Sequence, residues 1–151
     1  MKVLTENQCE KFAEVGYLII DFKFSKLLLD EIVTHVSYLY RKQPCSEFGA
    51  PRRVQDAWKS VNAVREVAVS SAVLSALKQL FGREPLPFQT LNFPVGTRQR
   101  SHSDTIHFNS IPRGFMAGVW SHWKTLIERM VPYSIIREVI NCLSIQCKIL
   151  I

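Results

Sequence analysis

The sequence lacks any apolar run long enough to cross a bilayer, and the residues after Met1 are polar and acidic rather than those of a secretory leader. It also has few cysteines. Cys9, Cys45, Cys142 and Cys147 are neither spaced in pairs as in a zinc site nor set in a secretory context. We therefore expect a cytoplasmic globular protein with reduced thiols and no membrane partner.

Clustered positive charge is missing too, although the chain is basic overall. Nineteen Lys and Arg against 13 Asp and Glu leave a net charge of +6 over 151 residues. The doublets Arg41-Lys42 and Arg52-Arg53 are isolated and have no interleaved aromatic residues, unlike a nucleic-acid interface. We expect no nucleic-acid partner, and a basic surface that could attract an anionic small-molecule substrate or co-substrate.

The N-terminal residues have the signals of a short helix followed by a strand. Thr5 with Gln8 forms a capping-box signature, and Gly16 suits a helix stop, so a helix is predicted over residues 6–15. The apolar residues that follow predict a strand over 17–21.

A second helix is predicted to begin after Ser25 and to end before Pro44. His35 lies within it and is expected to be a polar-face histidine rather than a metal ligand, because it has no partner at metal spacing. The apolar residues at helical spacing are Leu28, Leu29, Ile32, Val33, Val36, Leu39 and Tyr40.

The rest of the chain changes from helical to strand-like periodicity. A loop over residues 43–53 precedes a helical pattern over 54–69, and a last amphipathic helix is predicted to be capped by Ser70 or Ser71 and to end before Gly82. Strands separated by Gly and Pro turns then follow over 88–93, 100–108 and 115–120. This order, helices first and sheet second, predicts an α+β fold.

A histidine and a carboxylate stand two residues apart in the strand-like run from Gln99 to Phe108. Residues i and i+2 of a strand point to the same face, so the side chains of His102 and Asp104 can converge on one ion. They would supply two ligands of the 2-His-1-carboxylate site that binds Fe(II) in non-haem oxygenases. His107 has the opposite parity and is expected to make a structural or outer hydrogen bond. A polar pair at a strand surface is the alternative, because H-x-D is common by chance.

Several other blocks surround this motif. They are Leu91-Asn92-Phe93, Gly96-Thr97-Arg98-Gln99, His102-Ser103-Asp104-Thr105, His107-Phe108, Pro112 and Gly114-Phe115-Met116-Ala117-Gly118-Val119-Trp120. The helix, glycine and strand over 12–20 precede them. In order and spacing, these blocks resemble the phytanoyl-CoA dioxygenase family, and the resemblance covers residues 1–120.

The resemblance implies an Fe(II)- and 2-oxoglutarate-dependent dioxygenase, a hydroxylase with a double-stranded β-helix of the jelly-roll or cupin-like kind. It implies that His102 and Asp104 are the first two iron ligands. The substrate does not follow from it, because function lies in the site and not in the fold. Four polar residues are candidates for hydrogen bonds to 2-oxoglutarate or substrate, or else are plain sheet-surface positions: Gln89, Thr90, Asn92 and Gln99.

The resemblance stops after Trp120. The family continues with an acidic strand, a turn and a P-G-S-H block whose histidine is the third iron ligand, and later with an arginine that pairs with the distal carboxylate of 2-oxoglutarate. Residues 121–151, here called the tail, contain neither; the in-frame His122 is not supported as a third ligand by its distance or context. We expect residues 1–120 to be an incomplete dioxygenase domain that lacks the C-terminal half of the barrel and is inactive as given.

The tail carries a second pattern when its codons are read one base out of frame, from the last base of the Trp120 codon. With permitted codons, residues 121–143 then become VALEDIDRENGPLFYYPGSHKLP, which matches what the family has after its tryptophan. The Trp123-Lys124 pair forces the Glu and the Met130-Val131 pair forces the Gly. We interpret the tail as frame-shifted by loss of one base from a run of G at Trp120.

Two other hypotheses stay open. The chain could be a naturally truncated, non-catalytic relative that acts as a binding or regulatory protein, or an unrelated small basic α+β binding protein in which H-S-D is accidental. A half-barrel would expose an unpaired sheet edge, which would favour self-association.

Overall fold

The computed structural model describes residues 2–43, 53–94, 110–111, 115–121 and 147–150, the last four by their backbone alone. Helices precede most of the strands along the chain, so the predicted α+β class is confirmed. The elements are α1 (Glu6–Val15), β1 (Tyr17–Ile20), α2 (Lys26–Lys42), β2 (Val54–Gln55), a 3-10 turn (Ala57–Lys59), α3 (Asn62–Ala68), α4 (Ser71–Phe81), β3 (Leu91–Asn92), β4 (Gly118–Ser121) and β5 (Cys147–Leu150).

The first helix begins and ends where its local signals predict. The Thr5 hydroxyl accepts from the Gln8 N–H at 3.2 Å, and the Gln8 side chain accepts from the Thr5 N–H at 2.9 Å. Gly16 takes a left-handed conformation with φ 76°, and its N–H donates to the Phe12 carbonyl at 2.9 Å. The predicted capping box and glycine stop are therefore confirmed.

The second helix is confirmed as well. The Ser25 hydroxyl accepts from the Leu28 N–H at 3.2 Å, which satisfies one of the free donors of the first turn. The helix buries one face against the rest of the molecule: its buried residues are Leu28, Leu29, Ile32 and Val36.

The helix predicted over residues 54–69 is wrong in its first half. Val54 and Gln55 instead form β2, which pairs antiparallel with β3 in the register Val54 to Asn92. Asp56 then takes a left-handed conformation with φ 56°, which no α-helix tolerates, and regular helix begins only at Asn62. The pairing is with a distant part of the chain, so local periodicity could not indicate it.

The buried side chains form two clusters. The α2–α3 cluster contains Leu28, Ile32, Val36, Val54, Ala57, Val61, Ala63, Val64 and Val67. The α1–α4 cluster contains Leu4, Phe12, Leu18 and Ala76, with Ile20, Leu77, Phe81 and Ala117 packed against it.

The strands form a three-stranded sheet in the order β1-β5-β4 and a two-stranded ribbon of β2 and β3, all antiparallel between neighbours. The strand predicted over 88–93 is reduced to β3, and that over 115–120 to β4. The strand predicted over 100–108 lies outside the described residues. Within the described ranges, no helix combines the length and apolarity that a bilayer crossing requires.

Candidate functional site

The two predicted iron ligands, His102 and Asp104, lie outside the described residues, as do Gln99, His107 and His122. The described chain flanks the motif, with β3 before it and β4 after it. Among the described residues, no three His, Cys, Asp or Glu side chains come together in a way that could hold a metal ion. The part of the candidate site that lies within the described residues is therefore the β2–β3 ribbon.

Asn92 is a buried polar residue on this ribbon. Its exposed fraction is 6%, whereas its neighbour Leu91 is 41% exposed. The residue directly opposite is Val54, a member of the α2–α3 cluster. Directly opposite residues of an antiparallel pair share a face, so Asn92 lies on the face of the ribbon that packs against the helices.

Thr90 joins the chain before β3 to the turn after β2 through hydrogen bonds. The Asp56 N–H donates to the Thr90 carbonyl at 2.7 Å, and the Trp58 N–H donates to the Thr90 hydroxyl at 3.4 Å. In return, the Thr90 N–H donates to Asp56 Oδ1 at 3.4 Å. These bonds hold the turn that contains Trp58 against the chain that leads into β3. Aspartate suits the turn because it tolerates a positive φ better than most residues.

The negative charge of the Asp56 carboxylate is balanced by the ammonium group of Lys59. Lys59 Nζ lies 2.8 Å from Asp56 Oδ2, and this hydrogen bond is the main reason that the pKa of Asp56 is lowered. Partial burial acts in the opposite direction, and the Thr90 N–H lowers the pKa further. The Trp58 indole has only the smallest lowering effect and does not meet hydrogen-bond geometry to the carboxylate. Asp56 is thus an ionised turn residue with no sign of an acid–base role.

Two buried polar atoms beside the ribbon have no hydrogen-bond partner among the described residues: Asn92 Oδ1 and Trp58 Nε1. The first is an acceptor and the second a donor. Leaving such a group unpaired costs about 1–3 kcal/mol, so most are paired with protein, water or ligand. The ribbon therefore presents an acceptor and a donor that a small polar ligand or a water molecule would satisfy.

Gln89, the other described candidate, is partly buried and lies before β3 begins. It has opposite parity to Asn92, and residues of opposite parity point to opposite sides of an extended chain. The structure thus gives no support for one ligand touching both side chains.

His35 lies on the exposed side of α2, and its Nδ1 is 2.9 Å from the Glu31 carbonyl. The predicted polar-face placement is confirmed.

Two surface cavities among the described residues lie along α1. One of about 140 Å³ is lined by Lys11, Tyr17, Leu18 and Ile19, and another of about 270 Å³ by α1 residues between Asn7 and Val15. Both are smaller than the roughly 300–1,000 Å³ of typical ligand pockets. Neither Gln89, Thr90 nor Asn92, the predicted site residues that the structure describes, lines either cavity.

Sequence reasoning missed Asp56 and Trp58. Both were assigned to a helix, and their roles depend on contacts with Thr90, which is distant in the sequence. Thr90 and Asn92, in contrast, could be named from the sequence, because they are polar residues in a strand-like run.

Comparison with models of protein families, with curated proteins and with solved structures gave no significant match to this chain.

Proposed function

We propose that the chain is the N-terminal part of a cytoplasmic Fe(II)- and 2-oxoglutarate-dependent dioxygenase that hydroxylates a small molecule, and that its reading frame broke at Trp120. The observation that carries this proposal is the combination of His102-Ser103-Asp104 with a P-G-S-H block in the shifted frame of the tail. Two histidines and one aspartate make up the facial site of such enzymes.

The arrangement of the described elements is compatible with this proposal. Helices precede most of the strands, and neighbouring strands are antiparallel, which is the strand direction of jelly-roll folds. β4 ends at Ser121, directly after the codon where the frame breaks. A double-stranded β-helix completed by the repaired frame is part of the proposal.

The chain as given fits the cofactor only in part, because it supplies two of the three iron ligands. Iron and 2-oxoglutarate, when bound, supply the oxygen activation, whereas the protein binds and orients the reactants. In the repaired chain, His102 and Asp104 would hold the iron. The Asn92 carboxamide, which has a donor and an acceptor end, is the described group suited to a polar atom of co-substrate or substrate.

The test begins with the coding nucleic acid. We expect resequencing to find one more G at the Trp120 codon, and the frame then continues into P-G-S-H. The repaired protein should retain Fe(II) and decarboxylate 2-oxoglutarate, and both properties should be lost in its His102→Ala variant. The chain as given should show little or no turnover.

A Ser101→Ala variant of the repaired protein is the matched control, because it changes the neighbouring residue without removing a ligand. The proposal is wrong if the G run is as this chain implies. If the chain as given already decarboxylates 2-oxoglutarate in a manner that requires His102, the prediction that this chain is inactive is wrong.

A second function, non-catalytic binding by a true truncated form, is favoured by one observation. Residues 147–150 of the tail pair with both β1 and β4, so this part of the tail belongs to a sheet. An unchanged G run would favour this second function.

A further inference from the structure

β5 is the middle strand of its sheet. Its four residues pair antiparallel with β1 on one side and with β4 on the other, in the registers Ile20 to Cys147 and Ser121 to Cys147. β1 and β4 therefore run in the same direction, one strand width apart. Without β5 they would leave a gap that takes one extended segment antiparallel to both.

The two walls of this gap also have contacts with the helices, in addition to their pairings with β5. On the β1 side, Leu18 is buried in the α1–α4 cluster. On the β4 side, Ala117 packs against the same cluster. The ring of Phe115 lies 6.4 Å from that of Phe81, and the Arg83 guanidinium lies 4.2 Å from the Phe115 ring. Both walls are therefore anchored to the α1–α4 side of the molecule by residues that precede β5 in the chain.

β5 itself is held through its backbone. Among the described elements its main contacts are with β1 and β4, and both are strand pairings. Strand addition of this kind gains affinity from main-chain hydrogen bonds. A second copy of the same segment would make identical pairings in the same gap.

We propose that β5 exchanges between two copies of this chain, so that residues 147–150 of each copy fill the gap between β1 and β4 of the other. Residues 122–146 separate β5 from β4 along the chain, a much longer separation than in a hairpin. The effective concentration of a tethered segment falls as the tether lengthens, which favours exchange when copies are crowded. The two forms contain the same pairings, so exchange costs little beyond association. This inference concerns the chain as given with its tail, whereas the repaired chain of the proposed function would lack β5.

The register supplies a disulfide test with a matched control. Cys147 is opposite Ile20, whereas the adjacent Ile19 is opposite Lys148 on the other face. Cα atoms of directly opposite residues lie about 4.5–5.5 Å apart, within the range that a disulfide spans. We would therefore compare Ile20→Cys with Ile19→Cys, each with Cys9, Cys45 and Cys142 replaced by serine and with Cys147 kept.

Both variants are unfolded, refolded at low and at high protein concentration, oxidised and run on non-reducing gels. We expect Ile20→Cys to form an intramolecular disulfide at low concentration and a disulfide-linked dimer at high concentration. Mixing with a longer tagged copy before refolding should give heterodimers. Ile19→Cys should form neither product above background.

Intramolecular disulfide at every concentration would overturn the exchange. A failure of Ile20→Cys to crosslink more than Ile19→Cys would overturn the gap itself. Ser121→Cys, on the opposite wall, is the second variant and should behave like Ile20→Cys, which guards against misfolding caused by the loss of Ile20.

Discussion

Gln79 joins the N-terminal segment to α4 through a single side chain. Its Oε1 accepts from the N–H groups of Val3 and Leu4, each at 3.0 Å, and its Nε2 donates to the Leu4 carbonyl at 2.7 Å. One amide thus satisfies three backbone groups in a partly buried place. Glutamine can do this because its side-chain amide both donates and accepts hydrogen bonds.

Gln79→Met should therefore destabilise the protein by about 1–3 kcal/mol, because it leaves backbone donors without partners. Urea unfolding monitored by circular dichroism measures this. Lys78→Met is the control: it removes only an exposed ion pair with Glu84, which contributes about 0–1 kcal/mol. Equal losses in the two variants would contradict the role given to Gln79.

Tyr40 should make stability depend on alkaline pH. Burial raises the pKa of its hydroxyl from 10.0 to about 12. A phenol with a raised folded pKa leaves stability unaffected below pH 10.0 and lowers it as the pH rises toward about 12, because the unfolded chain then ionises first. We expect Tyr40→Phe to show a shallower loss of unfolding free energy across that window.

Tyr38→Phe is the matched control for this titration, because Tyr38 is on the same helix and 51% exposed. Its pH dependence should follow that of the unmodified chain. The absorbance of tyrosinate gives a second readout, in which Tyr40→Phe should remove an ionisation at about pH 12. If the pH dependence of the unfolding free energy became as shallow in Tyr38→Phe as in Tyr40→Phe, the assignment of the effect to Tyr40 would be wrong.

At the scale of elements, two serines occupy equivalent positions but differ in their bonds. Ser25 caps α2 with a hydrogen bond to the Leu28 N–H, whereas Ser70 precedes α4 without a capping bond from its side chain. Ser25→Ala should cost about 0.5–2 kcal/mol of stability, and Ser70→Ala clearly less. Thermal or urea unfolding of both variants decides this, and a larger loss in Ser70→Ala would show that the capping geometry is wrong.

The elements that sequence reasoning predicted well are those whose signals are local. The Thr5 capping box, the Gly16 stop and the Ser25 cap each act within one helical turn. β2 was missed because Val54 is extended only by virtue of its pairing with Asn92. The same holds for the candidate site: Asn92 was named from its polarity in a strand-like run, whereas Trp58 has no local mark that sets it beside the ribbon.

At the scale of the whole molecule, the described core is divided into two clusters that share no residue. Ile32→Val in one cluster and Leu18→Val in the other should each cost about 1 kcal/mol. The double variant should lose the sum within about 0.5 kcal/mol, since distant sites add. Urea unfolding of the four proteins in this cycle measures the coupling energy.

The comparison within one cluster combines Ile32→Val with Val36→Ala. These two residues are one helical turn apart on α2. That pair should deviate from additivity. A coupling between Ile32 and Leu18 as large as that between Ile32 and Val36 would mean that the two clusters behave as one.

The β1-β5-β4 order also has a consequence during synthesis. β1 and its partner β5 are separated by about 130 residues, so the ribosome makes the first long before the second. At about 5–20 residues per second, the β5-facing edge of β1 waits roughly 7–26 s for that partner. During that interval α1 is the element already beside it, and the edge is open to any nascent chain on a neighbouring ribosome. The edge of β1 is thus most exposed to pairing with another nascent chain when ribosomes are closely spaced on one messenger RNA.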